Sequence, residues 1–243
     1  MQAVVVAAGL GSRLYPFSDI IPKLMLPAGK RQLPVGEYII NHCMDNGIYD
    51  FVFCINNEKA PQITNFFKDG KRFGADIQYS ISEKPMGTAG ELAIAYSAGL
   101  IDARSSIIYY GDILCKTDIS KMIQEHKEAD GDISIVINSS VRIPVGYTED
   151  IDGMIYTIIE KPKISDICIS RNRKAVSGGI LPIFYVTNKD FYNNFCKTGI
   201  DVVNDVFTEM LQRGYKLLSY HDHADFIDMG SFKNLEIANK QWE

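Results

Sequence analysis

The chain opens on an apolar run that leads straight into a glycine-rich turn, VVVAAGLGSRL (residues 4–14). A valine- and alanine-rich run without polar alternation is typical of a strand that helices cover on both faces, as in parallel sheets. Ligands of such sheets bind at the carboxyl ends of the strands, beside the turns that follow them. We therefore predict an open α/β sheet with a ligand site that begins at this turn.

Strand-like and helix-like segments alternate up to about residue 140. Apolar strand runs recur as DFVFCI (50–55), ADIQYSI (75–81), SSIIYYGD (105–112) and DISIVIN (132–138). Helical periodicity lies between them, over 35–46, 60–68, 87–100 and 118–129. This order predicts a mostly parallel sheet with right-handed crossovers, flanked by helices.

The second half of the chain has a different pattern. GMIYTIIEK (153–161) and AVSGGILPIFYVT (175–187) are strand-like with little helix between them, which predicts a mixed, β-rich region. Helices near 188–196 and 202–213, a strand over 215–221 and a terminal helix from about 231 complete the prediction. We expect a single α/β domain over residues 1–243, with halves of about 1–140 and 141–243, the second of them β-rich.

Composition excludes several classes of protein. A net charge of −5 and a pI of about 5.4 argue against a basic surface for nucleic acid. The sequence has no apolar stretch near the roughly 20 residues that cross a bilayer, and its N-terminus lacks the charged start of a signal peptide. Five widely spaced cysteines favour reduced, buried thiols over disulfides. We expect a cytoplasmic protein without a membrane partner.

Two common phosphate-binding motifs do not fit the first turn. In the segment GLGSRL (9–14), leucine replaces the third glycine of a dinucleotide fingerprint, and Pro22-Lys23 replaces its later acidic residue. A Walker A loop does not fit either. What remains is a glycine loop with two cations, Arg13 and Lys23, which suits a triphosphate. The plainer alternative is a tight turn with solvated cations.

Further polar residues follow other predicted strands. EKPMGTAGEL (83–92) places a second glycine turn at the start of a helix, and YYGD ends a buried strand on Asp112. IIEKP ends another strand on Glu160 and Lys161, and Asp228 lies in FIDMG. Each of these could by itself be an ordinary turn or strand end, so their value lies in their order behind the first motif.

In this order the segments resemble the sugar-1-phosphate nucleotidyltransferases, or NDP-sugar pyrophosphorylases, from Val4 to about Asn239. The resemblance implies the Rossmann-like nucleotidyltransferase fold and Mg²⁺-dependent in-line transfer of a nucleotidyl group from an NTP to a sugar 1-phosphate. One strand departs from the family, because SGGIL (177–181) replaces the usual N-A-G-I-Y. Without hexapeptide repeats in the sequence, we expect no left-handed β-helix tail.

The resemblance also implies roles for individual residues. Arg13 and Lys23 would be catalytic, holding the leaving pyrophosphate and the α-phosphate, and Asp112 and Asp228 would bind Mg²⁺. The residues implied for the nucleotide are Ala8, Gly9, Gly11, Ser12, Glu83, Gly87 and Thr88. The residues implied for the sugar phosphate are Gly146, Glu160 and Lys161.

The substrates are less sharply indicated. GTAGEL (87–92) is most similar to the mannose-1-phosphate guanylyltransferases, and a carboxylate such as Glu83 can accept both N1–H and N2–H₂ of guanine. This favours GTP slightly over dTTP or UTP, while the sugar stays open. Cytidylyl transfer to phosphocholine, a catalytically silent nucleotide-sugar-binding subunit and a homo-oligomer also stay open.

Overall fold

The computed structural model describes residues 1–102, 104–138, 147–159 and 176–243. The strands are β1 (Gln2–Val6), β2 (Pro27–Ala28), β3 (Leu33–Pro34), β4 (Asp50–Asn56), β5 (Asp76–Ser82), β6 (Ser106–Tyr110), β7 (Ile113–Cys115), β8 (Ile133–Asn138), β9 (Tyr147–Ile151), β10 (Met154–Ile159), β11 (Val176–Val186), β12 (Leu217–Asp222) and β13 (Phe226–Asp228). The α-helices are α1 (Phe17–Ile20), α2 (Val35–Asp45), α3 (Ala60–Phe67), α4 (Thr88–Ser97), α5 (Ile119–Ala129), α6 (Thr208–Gln212) and α7 (Phe232–Gln241). Two π-helical segments, Phe191–Phe195 and Val202–Phe207, precede α6.

Within the described ranges, nine strands form one mixed sheet in the order β5–β4–β1–β6–β11–β8–β12–β10–β9. The strands β5, β4, β1 and β6 are parallel, so their carboxyl ends lie at one edge of the sheet. Antiparallel pairing begins at β11, and β9 pairs with both β10 and β11. The predicted α/β fold with a mixed sheet flanked by helices is confirmed, and within the described residues each antiparallel pairing of this sheet includes a strand from after residue 140.

The sheet is buried on both faces, as the apolar start of the chain predicts. In β1, Ala3 and Val5 belong to one apolar layer, which α2, α3, α5 and α7 cover. Val4 and Val6 belong to the opposite layer, which α4, α6 and the π-helical segments cover. The carboxyl end of β1 is therefore fixed from two sides.

Four cysteines, Cys43, Cys54, Cys115 and Cys196, are buried free thiols, as predicted. Cys168 lies outside the described residues. Within the described part of the chain, each helix is too short or too polar to cross a membrane.

Candidate active site

The segment after β1 folds into three short helical turns, Ser12–Leu14, Phe17–Ile20 and Lys23–Met25. Buried Leu14 and Leu24, each 1% exposed, anchor it to the core. Gly11 has φ +70°, a left-handed conformation that glycine adopts without strain, and a Cβ there would lie 3.3 Å from Cε of Lys23. The loop therefore curls back so that the side chain of Lys23 lies against Gly11.

The other loop residues predicted for the nucleotide differ in exposure. Gly9 and Ser12 are exposed, and a Cβ built on Gly9 would meet no protein atom within 4 Å. Ala8 is 3% exposed, and its carbonyl accepts a hydrogen bond of 2.8 Å from the side chain of Asn56 at the end of β4. The open space beside Gly9 leaves its backbone accessible to a ligand.

Asp112 lies beside this loop because β6 pairs with β1 in parallel and the two strands end at the same level. Gly111 donates a backbone hydrogen bond of 2.9 Å to Val6, and a Cβ on Gly111 would lie only 2.7 Å from Cβ of Ala7. This close approach requires glycine and places the next residue, Asp112, at the loop. Lys23 Nζ lies 2.7 Å from Asp112 Oδ2, so these two predicted site residues form an ion pair.

Asp228 reaches the same place through a short antiparallel ribbon. The strand β13 pairs with β7, which opposes Asp228 to Ile113, and the backbone N–H of Met229 donates to the carbonyl of Asp112 at 2.7 Å. The Asp228 carboxylate accepts from the N–H of Gly230 at 2.7 Å and lies 3.8 Å from Nη2 of Arg13. Arg13 itself is largely exposed, at 67% of its side chain.

The charges of Arg13, Lys23 and Asp112 all act on the carboxyl group of Asp228. Burial, and then the charge of Asp112, raise the pKa of Asp228, while Arg13 and Lys23 act in the opposite direction. Two carboxylates that repel each other at one site are a donor set that a hard divalent cation would stabilise. Groups of three or more His, Cys, Asp or Glu side chains suited to a metal are absent from the described ranges, so phosphate and water oxygens would complete the coordination.

The second glycine turn, between β5 and α4, is held by residues far along the chain. Gly87 has φ +78°, and a Cβ there would lie 2.9 Å from the carbonyl oxygen of Ile200. The Thr88 hydroxyl donates to Asp201 at 3.0 Å and accepts from the N–H of Val202 at 3.0 Å. These contacts occupy the hydroxyl with protein partners, whereas Glu83 is exposed at the end of β5.

Three predicted site residues, Gly146, Glu160 and Lys161, lie outside the described residues. The structure also contains contacts that the sequence analysis missed, namely those of Asn56, Asp201 and Glu91. Asn56 is the last residue of β4, where the parallel strands have their carboxyl ends, and a polar side chain at that place is a signal that could have been noticed. Asp201 meets Thr88 across 113 positions of sequence, and nothing local indicates such a pair.

Comparison with known proteins gives the class to which this fold and site correspond. The family model described as "Nucleotidyl transferase" matches residues 2–243, and the chain belongs to that family. It is 26% identical over 247 residues to the UTP–glucose-1-phosphate uridylyltransferase of Synechocystis, with 95% of this chain and 60% of that protein covered. It is 23% identical over 234 residues to the mannose-1-phosphate guanyltransferase of Saccharomyces cerevisiae, with 96% of this chain and 62% of that protein covered.

Among solved structures, the chain is similar to a Bacillus anthracis protein named as a glucose-1-phosphate thymidylyltransferase and solved with sucrose. The TM-score is 0.82 at 22% identity, and the match covers 99% of this chain and 94% of the other. This likeness confirms the fold. The chain spans about three fifths of the length of the two curated relatives named above.

Proposed function

We propose that the protein transfers a nucleotidyl group from an NTP to a sugar 1-phosphate and releases pyrophosphate. The observation that carries this proposal is the convergence of two cations and two carboxylates, from three separate segments, at the carboxyl end of β1. Membership of the nucleotidyl transferase family supports the same reaction class. The predicted division into a nucleotide half (about 1–140) and a sugar-phosphate half (about 141–243) belongs to this proposal.

The reaction needs charge neutralisation more than proton transfer. An oxygen of the sugar phosphate attacks the α-phosphorus, a new P–O bond forms, and the bond from the α-phosphorus to the bridging oxygen breaks with pyrophosphate as leaving group. The attacking phosphate is already ionised at neutral pH, so no strong base is required. Two polyanions must nevertheless meet in line, and fixed positive charge lowers that barrier.

Each charged residue has a role in this scheme. Lys23, held between the loop and Asp112, would contact the α-phosphate, and exposed Arg13 would hold the β- and γ-phosphates. The backbone of Gly9, Gly11 and Ser12 would line the triphosphate, with buried Ala8 supporting the start of the loop. Asp112 and Asp228 would hold a divalent cation, Mg²⁺, which neutralises phosphate charge when bound.

The sugar phosphate would be held by residues of the second half. From the family resemblance, we assign Lys161 to its phosphate, Glu160 to the sugar hydroxyls and Gly146 to a backbone contact with the sugar. These assignments rest on the sequence motifs alone.

For the nucleobase we propose guanine, read by Glu83. Glu83 is exposed and directly follows the carboxyl end of β5, beside the Gly87 turn. Its carboxylate has two acceptor oxygens for the adjacent N–H groups of guanine. Uridylyl, guanylyl and thymidylyl enzymes all occur among the named relatives, so the base must be measured.

The test is pyrophosphate release with Mg²⁺ from a grid of GTP, dTTP, UTP, CTP and ATP against mannose, glucose and amino-sugar 1-phosphates, with phosphocholine as a further acceptor. We expect turnover with a sugar 1-phosphate and the highest kcat/KM with GTP. Turnover with phosphocholine alone would overturn the sugar assignment. Nucleotide binding without any pyrophosphate release would identify a silent binding subunit instead. If Glu83→Gln leaves a GTP preference unchanged, the guanine assignment is wrong.

A further inference from the structure

Glu91 is a buried acidic residue that the proposed chemistry does not use. It lies in the first turn of α4, four residues after Gly87, and is only 2% exposed. Burying a carboxyl group is costly unless hydrogen bonds compensate for the lost water. A leucine at this buried helix position would avoid that desolvation cost. The contacts of the carboxyl group therefore indicate what it does.

One carboxyl oxygen closes the turn between β5 and α4. Oε1 of Glu91 accepts a hydrogen bond of 3.0 Å from the hydroxyl of Ser82, the last residue of β5, and one of 2.9 Å from the backbone N–H of Met86. The second oxygen, Oε2, is buried without a hydrogen-bond partner in the part of the chain that the structure describes. Burial is also the main reason that the pKa of Glu91 is raised.

The same turn is fixed from its other side. The carbonyl of Met86 accepts from the N–H of Gly199 at 2.7 Å, so both backbone polar groups of Met86 have partners. Residues 83–85, between Ser82 and Met86, are exposed. The turn is thus anchored at both ends while its middle, which begins with Glu83, faces outwards.

We propose that Glu91 is a positioning residue for nucleotide selection, because it holds the Ser82–Gly87 turn in the place from which Glu83 contacts the nucleobase. This inference rests on the proposed function. It distinguishes two roles: Glu83 contacts the base, and Glu91 holds the turn that determines the position of Glu83. Loss of Glu91 should therefore affect nucleotide affinity and base preference and leave the phosphate chemistry intact.

The experiment compares four variants of the full chain. Glu91→Leu removes the acceptor at similar volume, Glu91→Gln keeps one acceptor oxygen, and Ser82→Ala removes one donor. Ser80→Ala is the matched control, because Ser80 is buried on the same strand and its hydroxyl has no hydrogen-bond partner in the described ranges. For each variant we would measure kcat and KM for every NTP, the nucleotide Kd by calorimetry, and the melting temperature.

We expect Glu91→Leu to raise KM and Kd for the preferred NTP about tenfold and to reduce its advantage over the second NTP by a similar factor, with kcat within about twofold. Glu91→Gln should keep most of the nucleotide affinity. The affinity of Ser82→Ala should lie between those of Glu91→Leu and the wild type, and that of Ser80→Ala should match the wild type. A lower melting temperature with unchanged base preference would overturn the inference and leave Glu91 a structural residue. If Glu91→Leu does not fold, an unchanged base preference in Ser82→Ala has the same meaning.

Failure of the proposed function has a different signature. Wild-type protein that binds an NTP but releases no pyrophosphate would overturn the reaction, while the Kd values would still test Glu91. Wild-type protein that binds no NTP would overturn both.

Discussion

Lys23 and Asp112 form an ion pair of 2.7 Å, although 89 positions of sequence separate them. Their side chains are 16% and 28% exposed, so the pair is partly shielded from water. Asp112 is also a predicted ligand of the divalent cation, and it can serve Lys23 and a cation together because it has two oxygens. The pair thereby keeps the lysine beside the place where the phosphates and the cation would meet.

The first prediction concerns the charge of Lys23. Lys23→Met keeps much of the aliphatic chain and removes the ammonium group, so we expect kcat to fall on the order of 10²-fold or more, by analogy with the loss of other groups that stabilise transition-state charge. Steady-state pyrophosphate release measures this. The control is Lys30→Met. Lys30 is not one of the predicted site residues, and its Nζ lies 3.2 Å from Oε1 of Glu243. Equal activity of Lys23→Met and the control would contradict the catalytic role.

The second prediction concerns the carboxylate of Asp228. Asp228→Asn removes one of the two charges that would hold the cation, so the Mg²⁺ concentration for half-maximal activity should rise about tenfold or more. Calorimetric titration with Mn²⁺ in the presence of NTP checks binding independently of turnover. Asp225→Asn is the matched control, since Asp225 lies three residues earlier and pairs with Lys116 at 3.7 Å. An unchanged metal requirement in Asp228→Asn would remove this residue from the cation site.

The third prediction separates binding from folding at two glycines. Gly9→Ala adds a methyl group that meets no protein atom within 4 Å, so the melting temperature should stay unchanged while KM for the NTP rises. Gly111→Ala places the same group 2.7 Å from Cβ of Ala7 and should destabilise the fold by about 1–3 kcal/mol. Thermal melts and NTP titrations of both variants test this contrast. A normal KM in Gly9→Ala would exclude close contact between Gly9 and the phosphates.

Much of the sheet is predictable because each main strand carries its own apolar signal. The run DFVFCI predicts the strand observed over Asp50–Asn56, and the periodicity of 35–46 predicts the helix Val35–Asp45. The strands β7 and β13 escape prediction, since three residues are too few to show a period. Their pairing is nevertheless what brings Asp228 to Asp112.

The residues of the candidate site likewise include some that the sequence predicts and some that it does not. Glycine turns and charged residues at strand ends are local signals, and these indicate Arg13, Lys23 and Asp112. Asp228 is predicted only through the family resemblance, because the strand that it ends shows no period of its own. The roles of Thr88 and Glu91 depend on contacts rather than on a motif. Thr88 fits a phosphate-binding turn by sequence, but its hydroxyl bonds to Asp201, and Glu91 has the sequence pattern of an ordinary helical glutamate although it is buried.

The last prediction concerns stability in acid. His126 is 3% exposed; its Nδ1 lies 2.8 Å from the hydroxyl of Ser134 and its Nε2 lies 2.9 Å from that of Thr187. Burial lowers the pKa of His126 below the ordinary value of 6.5, so the folded protein binds this proton less readily than the unfolded chain. The contribution of neutral His126 is therefore complete above about pH 6.5 and is lost as the pH falls through the interval below it.

Within that interval one such histidine gives a slope of at most about 1.4 kcal/mol per pH unit in the free energy of unfolding. Urea unfolding between pH 7.5 and 5 measures the slope, and His126→Gln should reduce it because glutamine does not titrate. His42, whose pKa burial also lowers, should account for a further part of the slope, so the double variant should be flatter than either single one. If His126→Gln keeps the full wild-type slope, the acid sensitivity comes from other groups and the buried histidine is not its source.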